Sequence, residues 1–87
     1  MRIDNRTQTK EPEYSTKARS FINSQEIKFQ RQIKEAIEKI PLGDIKPYKE
    51  FYRLRVRGYR IIFDWINNEQ ILVLLIDNRG QSYKRGV

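Results

Sequence analysis

Residues 52–63 constrain this chain more than any other stretch: Tyr-Arg-Leu-Arg-Val-Arg-Gly-Tyr-Arg-Ile-Ile-Phe. Apolar and cationic residues alternate up to a glycine, and an apolar run follows. Strict alternation puts neighbouring side chains on opposite faces of a strand. Tyr52, Leu54 and Val56 then share one face, and Arg53, Arg55 and Arg57 share the other. Gly58 marks the reversal, because glycine reaches the positive φ that tight hairpins need. The stretch reads as a β-hairpin with an apolar face for a core and an arginine-studded face. Arginine on the wet side of an antiparallel strand is ordinary. Here the density carries the argument. Like charges opposed on neighbouring strands destabilise a sheet, and few carboxylates are expected opposite them. Such a face suits an anionic ligand.

The whole chain agrees with that sign. Its 87 residues, read as one domain over 1–87, carry a formal net charge of +7. The partner classes that follow are nucleic acid, an acidic protein or an anionic membrane surface. A domain this small buries only about 60–65% of its unfolded surface, so the core is expected to be thin. With no cysteine, disulfides and thiolate metal sites are excluded, and a reducing compartment is acceptable. With no histidine, the commonest metal ligand and the commonest near-neutral acid or base are gone as well. Catalysis falls to Asp, Glu, Lys, Arg, Tyr or to electrostatics alone, with no metal and no cofactor. No apolar run approaches the roughly 20 residues of a membrane helix. The polar N-terminus shows no signal peptide. The expected location is the cytoplasm, without membrane contact.

Residues 1–12 read as a weak edge strand or a frayed tail, interrupted by Pro12. Residues 14–23 read as a helix capped by Ser15 or Thr16, with Ala18, Phe21 and Ile22 as its apolar stripe. Ser24 is the expected cap of a second helix over 25–40. Phe29, Ile33, Ala36, Ile37 and Ile40 make one apolar face there, and Pro41 and Gly43 end it. So short a link implies a helical hairpin. Residues 42–50 read as a connector, since Pro47 argues against a central strand, with Ile45 and Tyr48 tucked under the sheet. A strand over 59–66 turns at Asn67-Asn68. The aliphatic run 71–76 reads as a central strand buried on both faces. Tyr52, Tyr59, Phe63 and Trp65 read as core or packing residues. For Arg60, pairing with Asp64 or Glu69 is the plain structural role. The predicted class is α+β: an N-terminal helical hairpin on one face of a small antiparallel sheet, a three-stranded meander.

Three segments resemble a known family, the RelE/ParE superfamily of toxins from bacterial toxin–antitoxin modules. Residues 15–40 resemble its helical hairpin. Lys46-Pro47-Tyr48-Lys49, Tyr52-Arg53-Leu54-Arg55-Val56 and Gly58-Tyr59-Arg60-Ile61-Ile62-Phe63 resemble its central hairpin. Asn78-Arg79 with Tyr83 resembles its closing His-Arg-x-x-x-Tyr element. The RelE branch implies a ribosome-dependent endoribonuclease that cuts mRNA by attack of the 2′-hydroxyl on the adjacent phosphate. By that resemblance Arg55, Arg60, Arg79 and Tyr83 are the catalytic candidates, and Arg53, Lys49, Arg57 and Lys84 contact RNA. The implied partners are a cognate antitoxin, the ribosome and mRNA. Operator DNA is reached only through the antitoxin complex.

Departures matter. Well-studied members carry lysine where this chain has Arg53 and Arg55, and histidine where it has Asn78. An arginine does not give up its proton, so Arg55 fits charge stabilisation better than general-base work. Guanidinium forks suit the charge that develops on phosphate oxygens. Two other functions compete. The ParE branch poisons DNA gyrase by binding. A non-catalytic module would use its sheet as a nucleic-acid platform, which is disfavoured because the aromatics alternate onto the apolar side.

Overall fold

The alternating stretch folds as a hairpin whose two turn residues are Arg57 and Gly58, with φ of 47° and 90°. Positive φ at both central positions is what a type I′ turn requires, and that turn matches the twist of paired strands. The computed structural model describes residues 6–78. In chain order the elements are β1 (Glu13–Tyr14), α1 (Thr16–Asn23), α2 (Ile27–Glu38), β2 (Asp44–Tyr48), β3 (Phe51–Val56), β4 (Tyr59–Asn67) and β5 (Gln70–Asn78). The class is α+β: two helices and one five-stranded sheet in the order β1-β5-β4-β3-β2.

Several expectations need correction. The sheet is mixed, because β1 pairs parallel with β5. The supposed connector 42–50 contains β2, paired antiparallel with β3 through all five residues. It is an edge strand, a place where a proline need cost no ladder bond. The central strand is β4, and β5 lies beside it. Nor is β5 buried on both faces: Ile71, Val73 and Ile76 are buried, but Leu75 is 37% exposed. Leu75 stands in register with Ile62 and, through it, Arg53, on the side away from the core cluster.

Ser15 caps α1, accepting from the Ala18 amide at 3.0 Å while its hydroxyl donates to the Leu74 carbonyl at 2.8 Å. One side chain thus satisfies a free helix amide and ties the helix start to β5. Tyr14 precedes the helix and belongs to β1. Ser24 closes α1 and does not open α2: its hydroxyl donates to the Phe21 carbonyl at 2.7 Å. Glu26 occupies the start of α2 without a side-chain cap.

Ala18, Ile22, Ile33, Ile37 and Ile40 meet Leu54, Tyr59, Ile61, Phe63, Ile71, Val73 and Ile76 in one buried cluster. Every sheet member of that cluster lies on the side away from Arg53 and Arg60. Phe21 meets Tyr59 edge-on at 6.0 Å, and Tyr52 stacks on Phe63 at 5.6 Å. Trp65 packs against the cluster.

Residues 6–12 form no strand. The Thr7 and Thr9 amides donate to the Asn68 and Glu69 carbonyls at 3.2 and 2.9 Å. Gln8 Nε2 donates to the carbonyls of Ile37 and Ile40 at 2.8 and 3.1 Å, satisfying two acceptors at the end of α2. Arg6 lies over the rings of Tyr52 and Trp65, at 5.8 and 5.3 Å from their centroids.

A cationic face as the candidate functional site

Cross-strand register builds the site. Asp44 of β2 stands opposite Arg55 of β3, Arg55 opposite Arg60 of β4, and Arg60 opposite Asp77 of β5. One row of the sheet therefore reads acid, base, base, acid. The next row reads Lys46, Arg53, Ile62, Leu75. Directly opposed residues share a face, so both rows lie on the side away from the core cluster.

The cations of this face differ in environment. Arg55 is exposed. Arg60 is held: its Nη2 meets Asp77 Oδ2 at 2.8 Å, and the two side chains are 22% and 36% exposed. Arg53 is 9% exposed and counts as buried. Its Nη1, the Arg60 Nε and the Asp77 Oδ1 are buried without a hydrogen-bond partner among the described residues. Unpaired buried donors and acceptors cost about 1–3 kcal/mol each, so this arrangement serves something other than stability.

Tyr48 joins the cations. The Arg60 guanidinium carbon lies 5.6 Å from its ring centroid and the Lys49 ammonium 5.5 Å. Alternation along β2 explains why: Ile45 packs against the core cluster, and Tyr48, three residues on, falls on the other side. Such contacts contribute about 0.5–1 kcal/mol at exposed sites. Tyr48 was expected under the sheet and the arginines were expected without aromatics among them; both expectations fail here.

The expected site is only partly within view. Arg53, Arg55 and Arg60 come together on one face. Arg57 does not join their rows, because it sits exposed in the turn. Lys49 lies in the β2–β3 turn, also exposed. Arg79, Tyr83 and Lys84 lie outside the described residues. Arg60 does find a carboxylate, but it is Asp77, whereas Asp64 Oδ1 accepts from the Trp65 amide and Glu69 accepts from the Thr9 hydroxyl. Sequence reasoning missed Asp77 and Asp44, the carboxylates flanking the arginine pair. No local pattern marks them, since their roles come from register. Among the described residues no group of three or more Asp or Glu could hold a metal ion. No helix among them is long and apolar enough to cross a membrane.

Chemically, the face can grip a phosphodiester. Arg55 offers an exposed fork, Arg60 one oriented by Asp77, and Tyr48 an aromatic surface on which a base can stack. A search of curated proteins finds no match. A family model described as the ParE toxin of type II toxin–antitoxin system, parDE, matches residues 13–83. That span holds both helices, the whole sheet and the arginine rows. The chain belongs to this ParE toxin family, within the RelE/ParE superfamily of type II toxins, whose counterpart is a cognate antitoxin.

Proposed function

We propose that this toxin is an endoribonuclease that cuts mRNA on the translating ribosome and so stops translation. The observation that carries the reading is the register that sets Arg55 opposite Arg60 with Arg53 buried beside them. Like charges so placed repel, and an anion laid across them relieves the repulsion that Asp44 and Asp77 leave. In the reaction the ribose 2′-oxygen attacks the adjacent phosphorus and the bond from phosphorus to O5′ breaks. The products are a 2′,3′-cyclic phosphate and a 5′-hydroxyl. Arg55 and Arg60 stabilise charge on the phosphate oxygens, and Arg53 and Lys49 hold the RNA backbone, with Arg57 at the margin. Arg79, Tyr83 and Lys84 enter from the sequence resemblance alone. A site without histidine gains from an RNA already aligned by the ribosome.

The reading takes the two helices as a hairpin over the far side of the sheet, which leaves the arginine rows free for RNA. It takes the antitoxin as an acidic or amphipathic segment that covers or distorts this basic face, and the cytoplasm as the place of action. Operator DNA is contacted through the antitoxin complex.

The family description supports a second reading, inhibition of DNA gyrase. One experiment separates the two. Primer extension on mRNA from cells expressing the chain should show new 5′ ends in translated regions. Gyrase-dependent DNA breaks with intact mRNA would replace the nuclease reading by the second. Arg60→Ala should lower cleavage about a hundredfold to a thousandfold, by analogy with loss of one oxyanion donor.

A further inference from the structure

The three atoms of the arginine face that lack a partner among the described residues differ in polarity. Arg53 Nη1 and Arg60 Nε are donors, and Asp77 Oδ1 is an acceptor. They are neighbours by register. Asp77 stands opposite Arg60, and Ile62, two residues along β4, stands opposite Arg53. A bare anion satisfies the two donors but is repelled by the carboxylate. All three are buried, so a ligand meets them only as the Arg53, Arg60 and Asp77 side chains turn outward. A molecule that carries a phosphate oxygen beside a hydroxyl then satisfies all three. A ribose with its 3′-phosphodiester carries that pair, and the 2′-hydroxyl is what separates RNA from DNA at a given site.

We propose that Asp77 accepts the 2′-hydroxyl of the ribose whose phosphate lies against Arg53 and Arg60, which makes this face selective for RNA over DNA. The proposal rests on the RNA-cleaving reading above. Without RNA, Arg60 Nη2 holds Asp77 Oδ2 at 2.8 Å, and the second oxygen has no hydrogen-bond partner among the described residues. The Asp77 side chain as a whole is 36% exposed. Oδ1 itself is buried, so the ribose reaches it when the carboxylate turns about its terminal bond, a broad two-fold torsion, and gives up the Arg60 contact. In cleavage the 2′-O–H bond breaks and its proton passes to Asp77. The O2′–phosphorus bond forms, the phosphorus–O5′ bond breaks, and O5′ takes a proton from water. The carboxylate is the proton acceptor that the arginines cannot be.

Fluorescence anisotropy tests this with the full chain and three matched short single strands: RNA, DNA and 2′-O-methyl RNA. A gel confirms that the RNA stays intact. The wild type should bind RNA about tenfold tighter than DNA, the scale of one hydrogen bond to a charged acceptor. The 2′-O-methyl strand keeps the oxygen but lacks the proton, and should bind like DNA. Asp77→Asn keeps the size but puts an amide that can donate where the acceptor stood. It should lose the preference while binding DNA at least as well, since a negative charge has left the face. Asp77→Ala should lose the preference too. A purely structural role would lower both affinities together and keep their ratio. Equal wild-type affinities for all three strands overturn the proposal, as does a preference that survives in both variants. Primer extension separates the two failures. A wild type that cuts mRNA while its variants keep the RNA preference removes Asp77's role and leaves the nuclease reading standing. Lost preference in a chain that never cuts mRNA keeps the ribose contact and removes the nuclease reading.

Discussion

Arg55 and Arg60 stand directly opposite each other across the β3–β4 ladder, and each has an aspartate, Asp44 on β2 or Asp77 on β5, as its neighbour on the other side. The aspartates offset part of the repulsion. Replacing the exposed member by a neutral β-former should relieve the rest. Arg55→Thr should raise stability by about 0.2–1 kcal/mol, read as a higher urea midpoint, and should lower growth inhibition. Reduced stability together with full toxicity would show that the pair serves the fold and not a ligand.

The β3–β4 turn holds Arg57 at φ 47°, a region that costs an ordinary L-residue about 1 kcal/mol or more. Asparagine tolerates it. Arg57→Asn should therefore stabilise the chain by about 1 kcal/mol. Growth inhibition should change little, because Arg57 lies off the arginine rows. Thermal melts and a plate assay check both halves.

Gln8 closes the end of α2 from a segment that has no strand pairing of its own. Gln8→Ala removes both donated bonds and should cost about 1–2 kcal/mol. Gln8→Glu should cost more, because a carboxylate cannot donate and sits badly beside the negative end of a helix. Amide exchange should speed up at residues 6–12 and at the end of α2 in both variants. Exchange unchanged there would show that Gln8 does not hold the segment.

Tyr14 answers to alkali. Burial raises its hydroxyl above the ordinary value of 10.0, Glu38 and Glu11 push the same way, and Arg19 opposes them. The phenol thus stays neutral longer in the fold than in the unfolded chain. Its contribution is whole below about pH 10 and is lost as pH rises from there through the raised folded value. Tyr14→Phe should lose less stability than the wild type between about pH 9 and about pH 11. Parallel urea titrations would show this, and identical losses would exclude Tyr14.

What could be read beforehand followed periodicity. The alternation at 52–56 placed Leu54 in the core and Arg53 and Arg55 opposite it. The stripe in α2 named Ile33, Ile37 and Ile40. What escaped was set by partners far along the chain. Asp77 looks like the polar end of an aliphatic strand until β4 sets it against Arg60. Pro47 argued against a strand because local rules do not say whether a strand is central or at an edge. Gln8 caps α2 across a sequence separation of 29, and no short window of sequence contains both ends of that contact.

The parallel pairing of Glu13–Tyr14 with β5 has a consequence for synthesis. Thr9 meets Glu69, and Ser15 meets Leu74, across sequence separations of 60 and 59 residues. During translation both helices and the arginine hairpin leave the ribosome before their closing strand exists. Until residues 70–78 emerge, α1 has no carbonyl at Leu74 for Ser15, β1 has no neighbour, and Arg60 has no Asp77. A product that stalls before Gln70 carries its cations without the frame that orients them, and exposes the free edge of β4 to any strand nearby.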